Sequence, residues 1–307
     1  QDPLGQILDE WSQPNGLSFK KITVPLGVIG IIYESRPNVT VDAAALCLRS
    51  GNIPILRGGK ECINSNTALY QCIQDALSDL GFNKNLVCFI DDVDREFVQE
   101  LIRLDKYVDL IIPRGGLSLI QSISQNSTIP TLKHLNGICH TYWDNGYSKE
   151  HAEKVIVNAK LRRPEICGAT ETLLVHEEID SVSINNVLQS LMDQGCIIKG
   201  DEKIKNFFPS AIEATEEDWS TEYLDKILSV KMVKDIEEAT KHINKYSSGH
   251  TESCLTDSSQ TINYFFQHCD SAILLHNAST QFADGGEFGF GAEIGISTDK
   301  LHVRGPV

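Results

Sequence analysis

One cysteine in this 307-residue sequence has neighbours that favour chemical reactivity. Cys167 lies in a loop between a predicted helix and a predicted strand, with Arg162 and Arg163 before it and Gly168 after it. Nearby positive charge lowers the pKa of a thiol and favours the nucleophilic thiolate. The pattern therefore predicts covalent chemistry at Cys167, with an inert thiol as the alternative. The remaining cysteines lie in or beside predicted helices and strands, where buried, unreactive thiols are expected.

Two short basic loops could bind an anion. Each follows a predicted strand, and they are Arg57-Gly58-Gly59-Lys60 and Arg114-Gly115-Gly116. Glycine lets backbone N–H groups approach a ligand, a following helix adds partial positive charge, and arginine offers a forked donor. A single loop of this kind is more simply explained as a tight turn, but two at the same edge of a parallel sheet favour anion binding. Neither loop is a GxGxxG fingerprint or a P-loop.

The nine histidines and nine cysteines do not by themselves define a second kind of site. A cysteine hydrolase would need a histidine paired with Cys167, and no spacing ties one to it, so most histidines are expected to be structural or at the surface. The cysteines show neither CxxC pairs nor the spacing typical of zinc ligands. We therefore expect no metal site, and reduced thiols in a cytoplasmic protein.

The composition is that of an ordinary globular protein with an acidic surface. Lys plus Arg is 27 and Asp plus Glu is 42, which gives a formal net charge of −15. Such a chain repels phosphate backbones, so nucleic acid and anionic membranes are not expected as partners. The longest apolar run, Val24–Tyr33, is about half of the ~20 residues that a membrane span needs. An anionic small molecule would need positive charge concentrated locally.

Strand and helix patterns alternate along most of the chain. Short strands, apolar on both faces, are predicted at residues 28–33, 53–56, 86–90, 108–112, 171–176, 228–233, 252–256 and 272–276. This alternation predicts an α/β fold in which helices cover both faces of parallel sheets. Thr40 is expected to cap the helix over residues 40–49. Residues 199–221 are predicted to contribute little to a core, and residues 282–307 to form a glycine-rich ordered loop.

A set of segments spread over the whole chain carries a family resemblance. The segments are Val24–Gly30, Tyr33–Thr40, Ile55–Glu61, Ile112–Gly116, Asn158–Lys160, Arg163-Pro164, Cys167, Glu171–Val175, Gly249–Glu252, Phe282–Gly289 and Lys300–His302. In this order they resemble the gamma-glutamyl phosphate reductases, also called glutamate-5-semialdehyde dehydrogenases, of the aldehyde dehydrogenase superfamily. A single glycine turn would be unspecific, but the ordered set is specific.

The resemblance implies an aldehyde dehydrogenase-like fold with two doubly wound parallel-sheet domains and an oligomerisation hairpin. Residues 1–23 correspond to the hairpin and linker, 24–144 to the cofactor-binding domain, and 145–281 to the catalytic domain. Residues 282–307 correspond to a segment that returns to the cofactor domain. Family members continue beyond both ends of this sequence, so we expect an incomplete domain at the N-terminus and a missing final segment.

The resemblance also implies a role for each candidate residue. Cys167 corresponds to the nucleophile, and Asn38 to the asparagine whose amide forms the oxyanion hole with the Cys167 N–H. Glu222 corresponds to the glutamate that contacts the nicotinamide ribose. The two basic loops correspond to the region that holds NADPH or NADP. Its 2′-phosphate could meet Arg57, Lys60 or Arg114, and the substrate-binding candidates are Arg36, Arg163, His250 and Glu252.

The segment Thr131–Gly137 distinguishes between two kinds of reaction within the superfamily. Aldehyde dehydrogenases that make a free acid carry a general-base glutamate there, and this segment has no carboxylate. The implied reaction is NADPH-dependent reduction of L-glutamyl 5-phosphate in proline biosynthesis, because an acyl phosphate needs no activated water. Oxidation of a free aldehyde and a non-catalytic truncated relative are the alternatives. A homo-oligomer (dimer or tetramer) and coupling to glutamate 5-kinase are also implied.

Overall fold

The computed structural model describes residues 2–133 and 136–300, which group into two compact units. Unit 1 comprises residues 2–133 and 292–295, and unit 2 comprises residues 136–291 and 296–300. Among these residues, no helix combines the length and the apolar composition needed to cross a membrane. Residues 301–307, which include the end of the predicted C-terminal segment, lie outside the described part of the chain.

Unit 1 begins with an antiparallel hairpin. Strand β1 (Ile7–Ser12) pairs with β2 (Ser18–Ile22), and Trp11 lies opposite Phe19 with the two rings stacked at 5.3 Å between centroids. Gly16 closes the turn with a φ of +89°, a backbone conformation that glycine adopts without strain. Every residue of both strands is exposed within this chain. The hairpin predicted from residues 1–23 is therefore present.

The hairpin leads to a prediction about assembly. A two-stranded ribbon with exposed large apolar side chains, such as Leu8, Trp11 and Phe19, is a ready site for pairing with another chain. We expect the protein to be a dimer or larger at micromolar concentration, and a Trp11→Asp/Phe19→Asp variant to be a monomer by light scattering. Lys20→Gln, on the same hairpin, should leave the mass unchanged. A monomeric starting protein would contradict this assignment.

A four-stranded parallel sheet forms the centre of unit 1. Its strands are β3 (Val28–Tyr33), β4 (Ile53–Gly58), β5 (Cys88–Phe89) and β6 (Leu110–Arg114), in the spatial order β5-β4-β3-β6. The chain moves outward from β3 to β5 and then returns to the other side of β3. The carboxyl ends of β3 and β6 therefore flank a switch point, which is where ligands bind in sheets of this kind.

Four helices cover this sheet on both faces. They are α1 (Val39–Arg49), α2 (Ile63–Asp79), α3 (Arg95–Leu101) and α4 (Leu117–Asn126). Along β3, Ile31 packs in the apolar cluster with α1 and α2, whereas Ile32 packs in the cluster with α3 and α4. This alternation of side chains to opposite faces is what a strand buried on both sides requires.

The capping prediction for α1 is wrong. The residue preceding the first turn is Asn38, and the helix begins at Val39. Thr40 is fully buried, and its hydroxyl lies 2.6 Å from that of Tyr33 and 3.4 Å from Asn66 Oδ1. Thr40 therefore ties α1 to the sheet and to α2, and its side chain is not available to cap the helix.

A seven-stranded parallel sheet forms the centre of unit 2. Its strands are β7 (Cys139–Trp143), β8 (Thr170–His176), β9 (Ile197–Gly200), β10 (Ile212–Glu213), β11 (Ile227–Val233), β12 (Thr251–Leu255) and β13 (Ile273–His276). The spatial order is β10-β9-β11-β8-β7-β12-β13. The helices are α5 (Lys149–Leu161), α6 (Ser181–Asp193), α7 (Glu202–Phe207), α8 (Ile236–Tyr246) and α9 (Ser259–His268). One apolar cluster packs α5, α6 and α7 on one face, and another packs α8 and α9 on the opposite face.

The predicted boundary at residue 144 is ten residues late. The structure passes from unit 1 to unit 2 between residues 133 and 136, and β7 pairs in parallel with β8 and β12. All five residues of β7 are buried. A strand that is buried on both faces shows no polar side, so its sequence does not indicate which sheet it joins.

The structure also corrects the prediction for residues 199–221 and places residues 292–295. The region 199–221 is not poor in core positions, because Ile204, Phe208 and Trp219 are buried there among short elements. Elements this short place only one or two residues in the core and show no clear period. Near the other end of the chain, residues 292–295 group with unit 1, where Ile294 packs against its core.

Candidate active site

Cys167 lies in the loop between α5 and β8, as predicted, at the amino edge of the unit 2 sheet. The loop is folded on itself, since the Ile166 N–H donates to the Arg163 carbonyl (3.5 Å) and the Ala169 N–H donates to the Ile166 carbonyl (3.0 Å). Cys167 is half-buried and the following Gly168 is buried. The thiol is thus carried by a defined turn at the surface of the sheet edge.

Gly137 makes a close contact with the Cys167 backbone. A Cβ atom at position 137 would lie 2.0 Å from the Cys167 carbonyl oxygen, a distance that real side chains do not reach. The Gly137 N–H donates to Glu222 Oε1 at 2.8 Å. Burial raises the pKa of Glu222, and this hydrogen bond and the Lys160 charge act in the opposite direction. Glu222 is therefore fixed to the backbone that lies against Cys167.

A second cysteine, Cys139, contacts the backbone of the same loop. Cys139, which is fully buried at the start of β7, has its Sγ 3.1 Å from the Cys167 carbonyl oxygen and 3.6 Å from His250 Nδ1. Burial raises the pKa of the Cys139 thiol well above its usual value, so the thiol stays protonated and can donate. His250 Nδ1 also lies 2.7 Å from the Thr251 hydroxyl. The structure places His250 beside Cys139.

The predicted substrate contacts of His250 and Glu252 need correction. Both side chains are fully buried, because the Gly-His-Thr-Glu motif leads into β12, a strand buried along its whole length. The Glu252 carboxylate accepts the His140 N–H (2.7 Å) and the Ser271 hydroxyl (3.1 Å), together with the Ser247 hydroxyl. Both residues therefore make hydrogen bonds within the interior of unit 2 and are not exposed to a ligand.

The two arginines before Cys167 have different surroundings. Arg162 Nη2 pairs with Glu287 Oε1 at 2.9 Å, and its guanidinium lies 5.7 Å from the centre of the Phe282 ring. Arg163 is exposed, and its backbone carbonyl accepts from Gln281 Nε2 at 3.3 Å. Part of the positive charge expected near the thiol is thus balanced by Glu287, and Arg163 remains a candidate for an anionic substrate group.

Sequence reasoning missed a buried ion pair close to this site. Lys160 Nζ donates to Glu171 Oε2 at 2.5 Å, with the two side chains 0% and 1% exposed. Burial raises the pKa of Glu171 to about 7, although Lys160 opposes that shift. The available signal was the position of Lys160 on the face of α5 that also buries Ala152, Ile156 and Ala159.

Unit 1 contains a cavity of about 400 Å³ at the carboxyl ends of β3 and β4. Its lining residues are Ile32, Tyr33, Glu34, Arg57, Gly59, Lys60, Glu61, Val93, Asp94, Arg95 and Leu119. The volume is within the range of small-molecule sites. Arg95, at the start of α3, was not among the predicted residues, because the loop before it is acidic and gave no sign of an anion site.

Arg57 has a structural role in this cavity. Its Nη2 donates to the carbonyls of Val93 (2.8 Å) and Asp94 (3.3 Å), and burial lowers the pKa of its guanidinium. The side chain therefore clamps β4 to the loop before α3. Lys60 and Arg95 are the exposed cationic side chains of the lining. Of the predicted 2′-phosphate contacts, Lys60 is the one that the cavity favours.

Carboxylates of the protein itself lie close to the glycines of the two basic loops. The Gly116 N–H donates to Glu34 Oε2 at 3.0 Å, and a Cβ at Gly115 would lie 2.5 Å from the same oxygen. In the other loop, a Cβ at Gly59 would lie 2.2 Å from Glu61 Oε1, which accepts the Ser35 N–H at 2.7 Å. In the Arg114-Gly115-Gly116 loop, the Gly116 N–H thus already has a partner within the protein.

The remaining predicted residues of unit 1 have different surroundings, since Asn38 and Arg36 are exposed and Gly58 is buried. The Asn38 amide donates to Asp42 Oδ2 at 2.9 Å at the start of α1, and Arg36 is exposed in the loop before that helix. A Cβ at Gly58 would meet Asn66 Nδ2 at 2.0 Å, so this glycine serves the packing of α2. Arg114 contacts Gly295, where a Cβ would lie 2.8 Å from its Nη1.

The two parallel α/β units, the larger with a cysteine loop at the amino edge of its sheet, have an aldehyde dehydrogenase-like fold. A gamma-glutamyl phosphate reductase from Thermotoga maritima matches with a TM-score of 0.94 and 46% identity, over 100% of this chain and 74% of that chain. An acetylating aldehyde dehydrogenase from Geobacillus thermoglucosidasius shares the fold, with a TM-score of 0.65 and 20% identity over 87% of this chain and 68% of that chain.

Relatives with curated names identify the family within this fold. Gamma-glutamyl phosphate reductase from Zymomonas mobilis is 50% identical over 307 residues, which is 100% of this chain and 72% of that protein. The enzyme of the same name from Paramagnetospirillum magneticum is 51% identical over 306 residues, again 100% of this chain and 72% of that protein. No protein-family model matches the chain. The chain belongs to the gamma-glutamyl phosphate reductase family, a family of oxidoreductases, which confirms the resemblance.

Proposed function

We propose that this chain reduces L-glutamyl 5-phosphate to L-glutamate 5-semialdehyde with NADPH and releases phosphate, as a step of proline biosynthesis. The observation that carries the proposal is the half-buried Cys167, whose backbone lies against Gly137 and through it meets Glu222, in a chain about half identical to the named reductases. A cytoplasmic location, a homo-oligomer and coupling to glutamate 5-kinase belong to the same proposal.

The proposed chemistry runs through a thioester on Cys167. The thiolate attacks the acyl carbon, and the oxyanion accepts the Cys167 N–H and the Asn38 amide; a donor of this kind is worth about 2.7–4 kcal/mol. The C–O bond to phosphate then breaks, phosphate leaves with the electron pair, and the thioester remains. When bound, NADPH supplies the hydride that reduces this thioester. The resulting thiohemiacetal on Cys167 collapses to the aldehyde and regenerates the thiolate.

Several residues have positions suited to the cofactor and the substrate. Lys60 and Arg95 offer exposed positive charge at the unit 1 cavity, and Glu222 offers a fixed carboxylate in unit 2 for a ribose hydroxyl. Arg36 and Arg163 are exposed, so their guanidinium groups can bind the phosphate or carboxylate of the substrate. These local charges would offset the net charge of −15.

Lys60 gives a test of the preference for NADPH. We expect Lys60→Ala to raise KM for NADPH by about tenfold, since a charge-assisted hydrogen bond is worth about 1.5–3 kcal/mol, and to leave KM for NADH nearly unchanged. Steady-state kinetics with both cofactors measures this. Lys84→Ala, an exposed lysine outside the cavity lining, is the matched control. Equal increases for the two cofactors would exclude Lys60 as the reader of the 2′-phosphate.

The reaction itself is tested in the reverse direction. Protein, glutamate 5-semialdehyde, phosphate and NADP are mixed, and the absorbance of NADPH is followed. The proposal requires steady NADPH formation that depends on phosphate. Equal rates without phosphate would indicate an aldehyde dehydrogenase that makes the free acid. Binding of NADPH with no turnover under either condition would indicate a non-catalytic relative.

A further inference from the structure

We propose that Lys160 and Glu171 form a positioning pair, which holds Glu222 in place for the nicotinamide cofactor and against the backbone beside Cys167. The inference rests on the proposed function, because it takes Glu222 as the residue that meets the cofactor ribose. Neither member of the pair is used in the chemistry described above. Both are too deeply buried to contact a ligand themselves.

The Glu171 carboxylate has two partners in different elements. One oxygen, Oε2, accepts from Lys160 Nζ on α5 at 2.5 Å. The other, Oε1, accepts the backbone N–H of Leu224 at 3.3 Å. A single carboxylate at the start of β8 thus joins α5 to the segment 222–224, and Glu222 lies in that segment.

The segment 222–224 needs such a restraint. Leu224 has a φ of +51°, a left-handed conformation that a non-glycine residue keeps only where its surroundings hold it. The centre of the Tyr223 ring lies 5.9 Å from Lys160 Nζ and 5.1 Å from Lys199 Nζ. The Tyr223 hydroxyl donates to Asp218 Oδ1 at 2.9 Å. The backbone at 224 and the ring at 223 are therefore both fixed.

Between the segment and the nucleophile the contacts are continuous. Glu222 Oε1 accepts the Gly137 N–H at 2.8 Å, and Gly137 lies against the Cys167 carbonyl. The Lys160 charge also stabilises the ionised form of Glu222, since it opposes the rise in the Glu222 pKa that burial causes. Loss of the Lys160–Glu171 pair would thus affect both the position and the charge of Glu222.

Stability alone does not explain a fully buried pair. Apolar residues of similar volume often replace a buried ion pair with equal or greater stability, whereas removal of one partner leaves a buried charge uncompensated. The double substitution Lys160→Met/Glu171→Leu is therefore the informative variant. Glu171→Gln is the second variant, because it removes the charge while it keeps an oxygen that can accept the Leu224 N–H.

The measurements separate positioning from a merely structural role. For Lys160→Met/Glu171→Leu we expect a nearly unchanged Tm but a rise of about tenfold or more in the NADPH Kd by fluorescence titration, because a displaced Glu222 loses its charged hydrogen bond to the cofactor ribose. The rate at which iodoacetamide alkylates Cys167 in the cofactor-free protein should also change. Lys203→Met/Glu177→Leu removes an exposed pair and should alter none of these quantities.

A double-mutant cycle with Glu222→Gln decides the outcome. If the pair acts through Glu222, adding Glu171→Gln to Glu222→Gln gives no further loss of NADPH affinity. Additive losses, or an unchanged Kd in the Lys160→Met/Glu171→Leu variant, would overturn the inference. The titration and the alkylation need no turnover. If the proposed reaction fails, the parent protein is inactive, but the NADPH affinities of the double-mutant cycle can still be measured.

Discussion

Replacing Cys167 with alanine is expected to reduce turnover by about 1000-fold or more, because the proposed nucleophile of the thioester mechanism is removed. NADPH binding should be nearly intact, since the truncation changes only the thiol. Cys167→Ser should be almost as inactive, because an unactivated hydroxyl is a far weaker nucleophile than a thiolate at neutral pH. The rate of phosphate-dependent NADPH formation measures both variants.

The control for this experiment is Cys72→Ala, which removes an exposed thiol from unit 1 and should leave the rate unchanged. Together the variants separate loss of the nucleophile from a general effect of removing a cysteine. If Cys167→Ala kept more than a few per cent of the activity, Cys167 would not be the nucleophile, and the covalent mechanism would have to be abandoned.

Gly137→Ala is expected to produce the second large effect. The added methyl group would lie 2.0 Å from the Cys167 carbonyl oxygen, and backbone on one side or the other must move to admit it. Such a shift also strains the hydrogen bond between the Gly137 N–H and Glu222. We expect kcat to fall by about 100-fold, because the proposed nucleophile and the carboxylate proposed to contact the cofactor are displaced together.

The matched control is Gly146→Ala in unit 2. A Cβ at Gly146 meets no atom within 4 Å, but its φ of +86° makes alanine strained there. That variant should lose about 1 kcal/mol or more of stability with kcat unchanged. Thermal unfolding and steady-state kinetics of both variants form one comparison. A Gly137→Ala protein with kcat near that of the parent would show that the close contact does not matter for the reaction.

The sequence indicated the elements of this fold better than their partners. The run Val28–Tyr33 has the boundaries that its apolar pattern predicts, because the local pattern and burial agree. The sheet that β7 joins was not predictable, since a strand buried on both faces looks the same in either sheet. Strand order is a tertiary property that no local pattern contains.

In the candidate site, too, local features were predictable and tertiary contacts were not. The loop position of Cys167 could be predicted from its neighbours, but the groups around it come from distant parts of the chain. Gly137 and Glu222 are 85 residues apart, and Cys139 and His250 are 111 residues apart. Spacing cannot reveal such pairs. The buried Lys160 is the exception, because a charged side chain on the apolar face of a helix is visible in the sequence.

Some donors of the basic loops have internal partners that the sequence does not show. The glycines and arginines of these loops were interpreted from local chemistry, which assumes that the backbone N–H groups face a ligand. In the folded chain, Glu34 accepts the Gly116 N–H from 82 residues away, and the carbonyls of Val93 and Asp94 accept from Arg57. Internal partners compete with ligands for the same donors, and only the fold shows which of them prevail.

The central claim is that Cys167 forms a thioester which phosphate, and not water, removes. The measurement is a rapid-mixing experiment in which the enzyme meets glutamate 5-semialdehyde and NADP without phosphate. We predict one burst of NADPH, equal in amount to the enzyme, with a glutamyl group found on Cys167 by peptide mass spectrometry; added phosphate then restores continuous turnover. Steady turnover without phosphate, or a burst with unmodified Cys167, would contradict the claim.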